Sequence, residues 1–299
     1  MSTKFPELTY ASPTDPWLKR WTIRTIEHLA GRNYFIPIYV QWKDEILPRN
    51  RRAIGSLLDL IGIRLDIVSG AWPPRLEPGV PLVIIANHPY GIVDGIAALA
   101  LAEDLGRPFK VLINKDLLKV PEIRPYSLPV DFSETREAQV QNIKMRNEAL
   151  RLLKEGATII VFPAGGVATS PTPFGKAVDL PWKTFTARMI LAARAQVLPV
   201  YFEGQCGPLF QLVSRFSLTL RLSLIIAEFR RLVGTTLQVR VGEVIPFAEL
   251  KSGADRKALL QELYEKVHEL SGVSLPEIRA RVARLPGWLR GAKGASPLY

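Results

Sequence analysis

The run Pro81–Ala86 (Pro-Leu-Val-Ile-Ile-Ala) limits the possible fold more than any other stretch of the chain. It is apolar throughout and rich in branched side chains, with nothing to face water. That is the signature of a strand buried on both faces, as found inside a parallel sheet. The run stops at Asn87, and Pro89 and Gly91 supply turn chemistry. Ile92, Ile96, Leu99 and Ala100 then recur at helical spacing until Gly106 closes the helix. His88 therefore stands at the carboxyl end of a strand and Asp94 in the first turn of the next helix. Ligands of open α/β sheets gather at that edge. A histidine there can take a proton from an alcohol near neutral pH, and a nearby carboxylate can hold its imidazole in one tautomer. The same pair also admits a plainer reading, a helix-capping Asp beside a satisfied surface His.

The rest of the chain alternates between the two periodicities. Ile63, Leu65 and Ile67 alternate with Arg64 and Asp66 as a half-buried strand, and strands are expected at 109–114, 128–131, 157–162, 197–202 and 237–241. Helices are expected at 92–105, 135–155, 184–195 and 254–270, the last with His268 on its wet side. Strands alternating with helices imply an α/β fold, a mainly parallel mixed sheet flanked by helices. A helical segment precedes it: Asp15-Pro16 is a helix start, and a second candidate spans 34–47 with a bend at Pro37. Trp17, Trp21, Tyr34, Tyr39 and Trp42, with Lys19, Arg20 and Arg24, give this segment the mixture that suits a lipid headgroup region. Packing of the aromatics on the core is the competing explanation. The chain divides into a helical, possible membrane-contacting segment (1–62), a catalytic domain (63–250) and a carboxyl-terminal helix with a basic tail (251–299).

A formal charge of +11 points to a polyanionic partner such as an anionic membrane, a phosphorylated cofactor or nucleic acid. The basic residues are scattered and form no recognition motif, so nucleic acid is not expected. Cys206 is the only cysteine, which rules out an intramolecular disulfide, and with three histidines it leaves little material for a metal site; none is expected. No uncharged apolar stretch reaches the roughly 18 residues that a spanning helix needs. The start of the sequence lacks the pattern of a secretory signal. Cys206 reads as a packing residue rather than a nucleophile.

Four strand ends carry unusual loops, and parallel strands would bring them to one edge. These are Asn87-His88-Pro89-Tyr90-Gly91-Ile92-Val93-Asp94-Gly95, Asn114-Lys115 through Arg124-Pro125, Val161-Phe162-Pro163-Ala164-Gly165-Gly166, and Leu198-Pro199-Val200-Tyr201-Phe202-Glu203-Gly204-Gln205. Their order and wording over roughly 17–246 resemble the glycerolipid (lysophospholipid) acyltransferase family, in particular a bacterial branch often labelled hemolysin-like, some of whose members acylate lyso-ornithine lipid. Two departures stand out. His88 and Asp94 have one more residue between them than the commonest family spacing. Ala164 and Gly166 stand where acids are frequent, so glycerol 3-phosphate chemistry does not carry over.

The resemblance implies transfer of an acyl chain from a thioester to a lyso-lipid hydroxyl, with acyl-CoA or acyl carrier protein as co-substrate and no permanently bound cofactor. His88 would be the general base and Asp94 its orienting carboxylate. Asn87, Gly91, Lys115, Arg124, Pro163, Ala164, Gly165, Gly166 and Glu203 would line the substrate site. Lys115, Lys119 and Arg124 are candidates for phosphates, against the alternative of a solvated basic loop. Gly165-Gly166 would let the backbone approach a ligand. The location implied is peripheral, on the cytoplasmic face of the inner membrane. The missing acids motivate a second reading, a non-catalytic lipid- or acyl-carrier-binding protein on the same scaffold.

Overall fold

A computed structural model describes residues 5–49, 52–131, 135–214, 216, 218–252, 255–287 and 289; Arg51, Trp288 and the basic tail from residue 290 onward lie outside them. In chain order the elements are α1 (Trp17–Ala30), α2 (Arg32–Gln41), α3 (Ala53–Leu60), β1 (Arg64–Ser69), β2 (Leu82–Ala86), α4 (Ile92–Asp104), β3 (Phe109–Asn114), β4 (Ser127–Val130) and α5 (Arg136–Lys154). They continue with β5 (Thr158–Val161), α6 (Phe185–Ala193), β6 (Gln196–Phe202), α7 (Pro208–Val213), α8 (Leu218–Arg231), β7 (Thr236–Val241), α9 (Arg256–Glu269) and α10 (Leu275–Ala283).

Among the described residues the strands form one seven-stranded sheet in the order β1-β7-β6-β2-β5-β3-β4. All neighbouring pairs are parallel except β6 with β7. The five strands from β6 to β4 therefore run the same way and bring their carboxyl ends to one edge. This is the mainly parallel mixed sheet that the alternation implied.

β2 lies between β5 and β6, which explains why its sequence has no polar face. Leu82, Ile84 and Ala86 enter a cluster with α3, α4 and α8, while Val83 and Ile85 enter another with α5, α6 and α9. Full burial of each large side chain contributes roughly 1.5–3 kcal/mol, so this strand anchors the sheet and the loop that leaves it.

The amino-terminal helices share the first of these cores through Tyr39, Trp42, Ile54 and Leu58. The aromatic residues expected as a belt divide. Tyr39 and Trp42 are buried, in helical phase with the buried Phe35, whereas Tyr34 is exposed and Trp17 and Trp21 on α1 are 72% and 61% exposed. α2 runs through Pro37 and continues into a wider turn at Trp42–Ile46 rather than ending there.

Two features depart from the sequence reading. Pro208–Val213 and Leu218–Arg231 form α7 and α8, for which the sequence reading had given no helix. His268 is not on the wet side of α9; it is 4% exposed, covered by Tyr264, Tyr201 and Trp182. No helix among the described residues is long and apolar enough to cross a membrane.

Candidate active site

Gly91 makes the turn after β2 possible. Its φ of +88° lies where glycine alone is unstrained, and a Cβ there would stand 3.0 Å from Val167 Cγ2. With the chain reversed this tightly, α4 begins at once and carries Asp94 back over His88. Asp94 is fully buried. Its Oδ2 accepts from His88 Nδ1 at 3.1 Å and from the Tyr90 N–H at 3.1 Å, and its Oδ1 accepts from the Gly95 N–H at 3.1 Å. The carboxylate is thereby fixed, and it selects the tautomer of His88 with the proton on Nδ1. Nε2 has no hydrogen-bond partner among the described residues, and the His88 side chain is 18% exposed, beside the Phe162 ring. Burial pulls the imidazole toward its neutral form. Asp94, supported by Asp179, outweighs that and leaves its proton affinity above the ordinary value, with Arg221 pulling back.

Asn87 holds the same loop from its other end. Its side-chain N–H donates to the Phe202 carbonyl at 2.9 Å, and its Oδ1 accepts from the Phe202 N–H at 2.7 Å. Both halves of the amide are thus spent on the end of β6 rather than offered to a substrate.

The third block packs directly against this turn. The Ala168 N–H donates to the His88 carbonyl at 2.7 Å. Pro163 and Ala164 are buried and Gly165 is exposed; a Cβ on Gly166 would meet Leu180 Cδ1 at 3.2 Å and Arg221 Nη2 at 4.0 Å. Ala164 belongs to the core cluster with Val83 and Ile85, so its side chain faces the sheet.

The second block stands farther along the edge, since β3 is two strands from β2, a spacing of about 10 Å. Lys115 forms an ion pair with Asp131 at 2.6 Å, Arg124 donates to the Leu118 carbonyl at 2.8 Å, and Lys119 donates to the Thr9 carbonyl at 3.2 Å. In the fourth block Glu203 is paired with Arg240 of β7. Cys206 is fully buried, and burial pushes its thiol well up, which fits packing and not attack on a substrate.

Two residues at the site were not legible in the sequence. Arg221 of α8 is 3% exposed; it donates to Thr169 Oγ1 at 2.8 Å and to the Val167 carbonyl, and no carboxylate pairs with it among the described residues. Burial pulls its guanidinium down to about 10. Asp179 is 2% exposed and accepts from the His88 backbone N–H at 3.1 Å. Neither sits in a motif, and they are joined to the His88 and Val167 segments across 91 and 54 residues. Among the described residues no group of His, Cys, Asp and Glu is arranged to hold a metal ion.

The arrangement is a buried carboxylate, an imidazole with one open nitrogen, a glycine-lined backbone segment and a buried guanidinium. It can accept a proton and hold an anion beside the acceptor of that proton.

A model of the family described as Acyltransferase matches residues 2–270. The chain is 28% identical over 128 residues to a lyso-glycine lipid O-acyltransferase of Phocaeicola vulgatus, covering 42% of this chain and 43% of that protein. It is 32% identical over 139 residues to a lyso-glycine lipid O-acyltransferase of Bacteroides thetaiotaomicron, covering 42% of this chain and 44% of that protein. The chain thus spans less than half the length of the curated relatives it matches. The crystal structure of the 1-acyl-sn-glycerophosphate (LPA) acyltransferase PlsC from Thermotoga maritima superposes with a TM-score of 0.46 at 16% identity, covering 86% of this chain and 98% of that one.

Proposed function

The chain belongs to the acyltransferase family, and from that premise we propose that it moves a fatty acyl group from a thioester to the hydroxyl of a lyso-lipid. The observation that carries this reading is the His88–Asp94 contact, 3.1 Å from Nδ1 to Oδ2, with Nε2 left open. His88 Nε2 takes the hydroxyl proton as the acceptor oxygen forms its bond to the thioester carbonyl carbon. When the C–S bond breaks, the imidazolium returns that proton to the departing thiolate. Asp94 fixes the tautomer and supports the transient cation. The oxyanion faces the first turn of α4, whose unpaired N–H groups and positive end favour negative charge.

Arg221 supports an acceptor that itself carries an anionic group, such as a carboxylate or phosphate. An acyl-amino-acid lyso-lipid fits this description, and the lyso-glycine lipid relatives are consistent with it. The donor is acyl-CoA or acyl carrier protein, and the basic block at Lys115, Lys119 and Arg124 is its candidate contact. The partners so defined are the lyso-lipid, the thioester carrier and an anionic membrane surface.

Membrane contact is peripheral in this proposal, at the cytoplasmic face of the inner membrane. Trp17, Leu18, Trp21 and Leu29 project from α1, with Lys19 and Arg24 exposed among them. Beside the site, Phe174 is 88% exposed, and Leu209, Leu212 and Phe216 project from and just beyond α7. These two elements are tied together by the Ser170 N–H donating to Gln211 Oε1 and by the Gln205 amide gripping Gly175 and Ala177. These exposed apolar side chains are the candidate lipid contacts.

The test is thiol release from palmitoyl-CoA and, in parallel, from palmitoyl acyl carrier protein, across a panel of lyso-lipids with wild type and His88→Ala. Release that requires both an acceptor and His88 is expected, and the panel names donor and acceptor. Lipid binding without release for any pairing would replace this reading with the non-catalytic one.

A further inference from the structure

Behind the loop that carries His88 lies a second histidine–carboxylate pair with no place in the reaction above. Asp179 belongs to the segment between β5 and α6, and its neighbour Val178 pairs with Thr169 in a short antiparallel bridge. That bridge closes the loop 170–177 and delivers Asp179 to the back of the β2–α4 turn. Asp179 Oδ1 accepts the His88 backbone N–H at 3.1 Å, and Oδ2 accepts Trp182 Nε1 at 3.1 Å. His268 of α9 sits with Nε2 4.0 Å from Oδ2, while its Nδ1 is 2.8 Å from the Tyr264 carbonyl. A carbonyl only accepts, so Nδ1 carries a proton, and burial of His268 favours leaving Nε2 without one.

We infer that Asp179 is a positioning residue for His88: its carboxylate grips the His88 backbone N–H while the Ala168 N–H grips the His88 carbonyl, so the peptide plane on each side of the base is held by the segment between β5 and α6. The inference rests on His88 acting as the base in the proposed acyl transfer. With the backbone held at both ends and Nδ1 held by Asp94, the open Nε2 has a single direction. Precision of this kind is what proton transfer in a near-attack geometry requires.

The charge of Asp179 adds to its grip. Both of its oxygens already accept N–H groups, which is the pattern of an ionised carboxylate. Burial drives the carboxyl toward protonation and leaves its proton affinity above the ordinary value, with His268, the His88 N–H and the Trp182 indole holding it back. Burial also keeps His268 toward its neutral form, and the charge that Asp179 carries raises the proton affinity of His88. The other charged and titratable groups around the two sites are Asp94 from α4, Arg221 from α8, Tyr201 from β6, Tyr264 from α9 and Arg281 from α10. A small polar cavity is lined by Asn87, Asp179, Tyr201, His268, Ser271 and Arg281.

Asp179→Asn is the informative variant. An amide has one acceptor oxygen for two buried donors, so either His88 or Trp182 loses its partner, and the negative charge is gone. The chain has only three histidines, which makes the imidazole resonances of His88 assignable by comparison with His88→Ala. With Asp179→Asn, His88 is expected to titrate at lower pH by NMR, and the acidic limb of kcat/KM is expected to move down with it. kcat should fall about tenfold or more, and KM for the acceptor should stay within about twofold. Trp182→Phe removes one donor but keeps the charge, and it should leave the His88 titration where it is.

A folded Asp179→Asn protein in which His88 titrates as in wild type would overturn the inference, as would an unchanged kcat. Should Asp179→Asn fail to fold, an NMR shift of His88 in Trp182→Phe as large as that in Asp94→Asn would equally overturn it, since the charge would not be what matters. If wild type shows no acyl transfer with any pair of substrates, the NMR titration still decides whether Asp179 sets His88. Failure of the reaction and failure of this inference are therefore separable.

Discussion

Asp94→Asn gives the sharpest test of the geometry. In the structure Asp94 satisfies three donors with two oxygens: His88 Nδ1, the Tyr90 N–H and the Gly95 N–H. An asparagine has one acceptor oxygen. With that oxygen toward His88 and Tyr90, its NH2 meets the Gly95 N–H, and a backbone donor is left unmatched at a cost of about 1–3 kcal/mol. With the amide reversed, the NH2 meets Nδ1 and forces the proton to Nε2, the atom that must accept the substrate proton. Either orientation removes the charge that supports the imidazolium. A fall in kcat of about 10²–10⁴ follows, equivalent to roughly 3–5 kcal/mol of barrier. The sign of the pH effect is also set. Asp94 raises the proton affinity of His88, so its removal lowers that affinity and the acidic limb of the rate profile moves to lower pH. The assay is thiol release from about pH 5.5 to 9 at saturating acceptor, with thermal unfolding followed by circular dichroism to verify the fold. A folded Asp94→Asn enzyme with kcat within threefold of wild type and an unmoved limb would refute the reasoning.

Arg221→Met should act in the opposite direction on pH, because a cation near His88 is removed: the acidic limb moves up. KM for an anionic acceptor should rise about tenfold while that for an uncharged acceptor stays level, and Arg221→Lys should restore part of the difference; equal effects on both acceptors would deny Arg221 a binding role. The double variant Trp17→Ser, Trp21→Ser should lose most flotation with anionic vesicles while its Tm stays within about 2 °C, since both side chains are exposed and make little stabilising contact. Undiminished flotation would remove α1 from the membrane contact.

The parts of the fold carried by local periodicity were legible in the sequence. Pro81–Ala86 had no polar side because β2 has a neighbour on each edge and a helical layer on each face. His88 and Asp94 were legible because a strand, a glycine turn and a helix put them within reach of each other with no help from the rest of the chain. Asp179 and Arg221 were not, because nothing local distinguishes them from an ordinary loop acid and an ordinary helix cation. Their place at the site exists only once the segment between β5 and α6, α8 and the β2–α4 turn meet. Asn87 was correctly placed at the edge, but its type was read as substrate-facing when both ends of its amide go to Phe202. His268 was misread for a related reason. It follows Val267 on the buried side of α9, next to Leu263 and Leu259, and a polar type in a helix gives no sign of the aromatic cover above it. The aromatic belt divided according to helical phase. The residues aligned with the core face of α2 went inward, and Trp17 and Trp21 lie off the buried face of α1, which carries Ile23, Glu27 and Ala30.

The Asn87 amide has the donor and acceptor of a peptide group, mounted on a side chain. It gives β6 one further rung after the main chain of β2 has already turned away. The reactive loop can thus leave the sheet without fraying the strand beside it. That arrangement ties the site to a chemically perishable group. If the amide hydrolysed with age, the resulting carboxylate would accept from the Phe202 N–H but would turn a second oxygen against the Phe202 carbonyl. The last rung would then open from the side.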